Sequence, residues 1–94
     1  MKDQHEKIKG YRDLTQLEID LMNEVKAHGE KTRELLEKLD GRRQSQLAQS
    51  LNNDAPGLSM EQIEESLRCI DNATTALQTG QMWFVRAIAL PDSF

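Results

Sequence analysis

The sequence has one cysteine, two prolines and five glycines in 94 residues, and each scarcity excludes something. Cys69 stands alone, so no internal disulfide can form and a reducing compartment is the natural expectation. With so little proline and glycine, uninterrupted helix is possible over most of the length. No apolar run approaches the ~18 residues of a membrane span and no signal-peptide pattern opens the chain, which predicts a cytosolic protein without a membrane partner. The net charge of -4 argues against DNA or RNA polymers, whose affinity comes from many Lys and Arg neutralising phosphates. A small ligand with two or three phosphates needs only a local positive spot. Enzyme signatures are missing too: there is no Gly-rich phosphate loop and no paired-His metal motif, and His5 and His28 stand far apart. Acidic clusters such as Glu61, Glu64 and Glu65 lack an accompanying base and read as solvated helix faces. No catalytic residue, metal or cofactor is expected, and binding is the better hypothesis.

What is present is helical periodicity. Met60, Ile63, Leu67, Ile70, Thr74, Leu77, Gln81, Phe84 and Ile88 recur at steps of three and four along one seam of a long helix. Beside them run Ser66, Cys69, Ala73, Ala76, Gly80, Trp83, Ala87 and Leu90. The first stripe is large and aliphatic, as a partner helix in the same chain requires. The second is mostly small and admits the close approach of another backbone. A chain this short has no third element to cover both faces, which predicts an oligomer.

Residues 1–12 are polar and basic around Ile8, a short helix or turn ending at Gly10. Thr15 and Glu18 then have the spacing of a capping box, with Leu14 and Ile19 as its hydrophobic staple. Leu17, Leu21 and Val25 continue a helical stripe as far as His28-Gly29, where a kink or break is expected because glycine is costly inside a helix. A second segment from Glu30 carries Leu35, Leu36, Leu39, Leu47 and Leu51, with Gly41 as a weak point. Residues 52–57 read as a turn, and Ser59 with Gln62 forms another capping box, stapled by Leu58 and Ile63. The long helix that follows can run about 45 Å to Leu90, where Pro91 ends it. The expected fold is all-α: one domain over 1–94, an antiparallel helical hairpin with a short N-terminal helix and one long C-terminal helix.

A nucleotide site needs a flat apolar face for the base and a positive donor for the phosphate. Tyr11, the only tyrosine, lies between Lys9 and Arg12; it either packs on the first helix or offers its ring to a ligand. Lys26 lies roughly 16 Å along the helix from Thr15, so chains placed side by side could each supply one of the pair. Asn23, three residues earlier, either hydrogen-bonds a base edge or faces solvent. Thr15 already has a capping role. Arg68 and Arg86 flank the small stripe; an ion pair to Glu64, Glu65 or Asp71 is their ordinary explanation.

The run Gly10-Tyr11-Arg12, Leu14-Thr15, Glu18-Ile19, Asn23 and Lys26, followed by Leu77-Gln78-Thr79-Gly80 and Met82-Trp83-Phe84-Val85-Arg86-Ala87-Ile88, resembles the bacteriophage anti-CBASS proteins of the second type. These are sponges for cyclic oligonucleotides. The resemblance implies antiparallel helices assembled as a homohexamer, a trimer of dimers. It implies a phage protein, acting in the cytoplasm of the infected host, that sequesters the cyclic dinucleotides and cyclic trinucleotides of a bacterial defence system without cleaving them. Tyr11 would then stack on a base and Lys26 reach the dinucleotide, with Arg12 and Asn23 beside them. Arg68, and with it Arg86, would serve a separate trinucleotide pocket where three chains converge. The competing reading is an oligomeric helical module that binds a host or phage protein.

Overall fold

A computed structural model describes residues 12–53 and 57–91. Two helices account for nearly all of them, and no strand occurs among the described residues: α1 spans Gln16–Leu51 and α2 spans Met60–Ala89. The all-α expectation holds. The short N-terminal helix expected before Gly10 lies outside the described residues, as do positions 54–56 of the expected turn.

Both helices begin where local chemistry says they should. The Thr15 amide donates to Glu18 Oε1 at 2.9 Å while the Glu18 amide donates to Thr15 Oγ1 at 3.2 Å. Ser59 and Gln62 repeat the exchange at 3.0 and 3.1 Å. Each box satisfies two amides that have no partner within the helix, and such caps typically stabilise by about 1 kcal/mol. Beyond α1, Asn53 takes a left-handed conformation (φ 61°), which its short polar side chain tolerates, and Gly57 follows at φ 83°. Leu90, at φ 42°, has left the α2 spiral just before Pro91.

The break expected at His28-Gly29 is absent. α1 runs without interruption through Gly29 and Gly41, so the two segments read from the sequence are one helix of 36 residues, longer than the 30 of α2. At Gly29 the reason is a neighbour. A Cβ built there would lie 2.8 Å from Nε2 of Gln81, so glycine makes room for a side chain from α2 and does not end the helix.

The chain divides into two compact units, Met1–Glu30 with Thr79–Phe94 and Lys31–Gln78, and in each a stretch of α1 runs antiparallel to a stretch of α2. In the second unit Ile63 is fully buried and Ile70 nearly so. Burial of such a side chain stabilises by about 1.5–3 kcal/mol. The half-buried positions of α1 here are Thr32, Leu36, Asp40, Arg43, Leu47, Gln49 and Ser50, all but Gln49 at steps of three and four, and only two of them are large and apolar. A polar clasp joins the helices instead. Arg43 Nε donates to Ser66 Oγ at 2.6 Å, and its Nη1 donates to Oε1 of the buried Gln46 at 2.7 Å. Burying an amide without a partner would cost free energy; Gln46 has one.

The leucines of α1 therefore do not form one inward series. Leu36 and Leu47 are half-buried, whereas Leu35, Leu39 and Leu51 are exposed. In the first unit Met22, Val25 and Gly29 are half-buried, but Leu17 is 69% exposed and Leu21 is open as well. On α2 the aliphatic seam is largely covered: Met60, Leu67, Thr74, Gln81 and Ile88 are half-buried, with Leu77 and Phe84 exposed. Thr74 donates its hydroxyl back to the Ile70 carbonyl at 2.8 Å, so its polar group needs no partner elsewhere. The small stripe is mostly open. Cys69, Ala76, Ala87 and Leu90 are exposed and Trp83 is 65% accessible, while Ser66, Ala73 and Gly80 are half-covered.

Candidate ligand-binding site

Tyr11 lies outside the described residues. Its neighbour Arg12 opens them, and the Arg12 guanidinium is clamped. Nη1 donates to Glu18 Oε1 at 3.1 Å, Nη2 pairs with Glu18 Oε2, and Nη2 also donates to the Ile88 carbonyl at 2.8 Å. This fork fastens the chain just after Tyr11 to the cap of α1 and to the last turn of α2. Carbonyls at a helix C-terminus carry partial negative charge and lack helical partners, so an arginine is well matched to that end. The sequence reading placed Arg12 beside the ligand and gave no sign of this structural duty.

Glu18 accepts from Arg12 and from the Thr15 amide, and these donors, the Arg12 hydrogen bond first, lower its pKa from 4.5 to about 2. A depressed carboxylate stabilises the fold in its ionised form, so the contribution is complete above pH 4.5 and is lost as pH falls toward 2. We expect the thermal midpoint of the wild type to drop across that window and Glu18→Gln, which can still cap, to flatten the acid limb. Parallel acid limbs for the two proteins would contradict the assignment.

Lys26 and Asn23 are exposed on α1, three residues apart and thus on one face, in the same unit as Arg12 and Arg86. The residue before Lys26 receives a bond from the other helix: Gln81 Nε2 donates to the Val25 carbonyl at 2.6 Å. A turn further along, His28 meets Phe84 edge to face, ring centroids 6.3 Å apart. Three of the four residues proposed from the sequence for a dinucleotide thus gather in one unit, with the fourth adjacent in sequence to Arg12.

Arg68 belongs to the other unit and is already paired. It donates Nε and Nη2 to the two oxygens of Glu65, at 3.1 and 2.5 Å, and this bond holds the Glu65 carboxyl below its usual range and raises the guanidinium. The ion pair anticipated as the ordinary explanation for Arg68 is present. The pair is solvent-exposed, so a phosphate can compete for the arginine at small cost. Arg86 is exposed in the last turn of α2, where a cation complements the helix dipole. Among the described residues no group of three or more His, Cys, Asp or Glu could hold a metal ion, and no helix is long and apolar enough to cross a membrane.

Sequence reasoning missed two features, the Arg43, Gln46 and Ser66 clasp and the seating of Gln81 on Gly29. A signal existed for each. Arg43 and Gln46 are three apart on the inward face of α1, and Gln81 was already conspicuous as an amide in an apolar seam.

Comparison with known proteins agrees with this architecture. The curated protein named Anti-CBASS protein 2, from Pseudomonas phage JBD67, is 43% identical, and the match covers 98% of each chain. A family model described as the Acb2/Tad1 hairpin domain matches residues 4–89, nearly the whole of the chain. The protein belongs to the Acb2/Tad1 hairpin-domain family.

Proposed function

We propose that this chain is a phage counter-defence protein that binds and sequesters the cyclic dinucleotides and cyclic trinucleotides of bacterial CBASS immunity, leaving them uncleaved. The observation that carries this reading is the end-to-end likeness to a phage protein named for anti-CBASS activity. Tyr11 stacks on a base and Lys26 reaches the ligand's phosphate, with Asn23 at the base edge and Arg12 anchoring the segment that carries Tyr11. Arg68 and Arg86 serve the trinucleotide. The working form is a homohexamer, a trimer of dimers, in the cytoplasm of the infected host. The open small-residue stripe and the outward leucines of α1 support association, because they leave many apolar side chains in water for another copy to cover. A cyclic dinucleotide is itself close to two-fold symmetric and suits a cleft between like chains. Two stacks at about 1–3 kcal/mol each, with charge-assisted phosphate contacts, bring submicromolar affinity (about 8 kcal/mol) within reach.

Calorimetric titration with cyclic dinucleotides and trinucleotides tests the reading, followed by denaturation and chromatography of the released ligand. Tight binding and intact recovery are expected. Shortened or linearised product would make the protein a hydrolase. Silence toward every nucleotide would favour the alternative, a helical module whose exposed Trp83 face docks on a protein.

A further inference from the structure

Gln81 is an amide in an apolar seam, and its Nε2 reaches across to the Val25 carbonyl at 2.6 Å. That carbonyl shares one planar peptide group with the N–H of Lys26. Inside a continuous helix the Val25 oxygen already accepts the Gly29 amide, so the backbone does not need Gln81 for satisfaction. The contact nevertheless has a dedicated seat. Nε2, Cδ and Oε1 of Gln81 lie 2.8, 3.2 and 3.6 Å from where a Gly29 Cβ would stand, nearer than any other atom outside the adjoining turns of α1. Two positions that helix propensity and seam packing would fill with alanine and leucine are thus given up to a single bond onto one peptide unit.

We infer that Gln81, seated on Gly29, is a positioning residue for Lys26. The inference rests on Lys26 as the lysine that reaches the dinucleotide. Lys26 is exposed and its side chain makes no hydrogen bond or ion pair with the described residues, so the restraint on it comes through the backbone that carries it. Holding the peptide plane fixes the direction in which the side chain leaves α1. That lowers the ordering cost of binding without touching the ligand.

The test uses the full-length protein and cyclic GMP-AMP as titrant, with Gln81→Leu, Gly29→Ala and the double variant. Gly29→Ala adds one methyl that meets only the end of Gln81 and displaces it. Each single variant should bind ~10-fold more weakly, and the double variant also ~10-fold, because all three remove the same contact. The melting midpoint of Gly29→Ala should not fall, since alanine is the better helix former; a loss of binding there is not a loss of stability. Wild-type affinity in both single variants overturns the inference, as does loss confined to a destabilised Gln81→Leu or a fully additive double variant. If the wild type itself ignores cyclic GMP-AMP, the dinucleotide site fails and the positioning role with it; indifferent variants of a binding wild type overturn the positioning role alone.

Discussion

Tyr11→Ala should abolish cyclic dinucleotide binding while leaving the mass of the native assembly unchanged. On the proposed reading, two bases stacked by two copies of Tyr11 would contribute about 2–6 kcal/mol together, so truncation should weaken binding by ~30-fold at the least and beyond detection at the upper end. A stacking role would use the ring face and not the hydroxyl, so Tyr11→Phe should bind nearly as well as wild type. Trinucleotide binding is an internal control, because the proposed trinucleotide pocket does not use Tyr11 and Arg68, one of its two arginines, lies in the other unit. Titration calorimetry with both ligand classes decides the matter, and an alanine variant of undiminished dinucleotide affinity would remove Tyr11 from the site.

Gly80→Leu should dissociate the assembly. A Cβ at Gly80 meets no atom within 4 Å in the single chain beyond its own helix backbone, so the protomer has room for a side chain to begin there. In the proposed assembly, the atoms that would exclude one belong to another copy. Overpacking a close contact typically costs 1–3 kcal/mol, and a symmetric oligomer repeats that cost at each equivalent interface. Native mass spectrometry should show smaller species, and circular dichroism should show helix content preserved. An unchanged mass would show that chains do not meet at the small stripe. Gly29 is the opposite case, a glycine whose space is filled from within its own chain.

Features governed by near neighbours in sequence were legible from sequence. Both capping boxes form with the anticipated donors and acceptors, because residues three apart settle them. The α2 seam was readable since Ile63 and Ile70 combine helical spacing with strong apolar character. Gly29 was misread for a physical reason: intrinsic propensity counts a mid-helix glycine as a defect, and only the arrival of Gln81 from the other helix shows it to be a seat. The leucines of α1 misled similarly. Leu35 and Leu36 look alike in a list, but one further residue turns a helix by about 100°, and only Leu36 is half-covered. For the candidate site, residue chemistry singled out Lys26 and Asn23, which are exposed on α1, while the clamp on Arg12 depended on the Ile88 carbonyl, which no local pattern announces.

The mixed sidedness of α1 has a consequence for any measurement of stability. Polar groups such as Arg43 and Gln46 occupy its inward face while Leu17, Leu35 and Leu39 look outward, so little apolar surface is withdrawn from water until another molecule covers it. If the chains assemble as proposed, folding and self-association would become one linked equilibrium in which dilution acts as a denaturant. For such a molecule an unfolding temperature has no meaning without the protein concentration at which it was read.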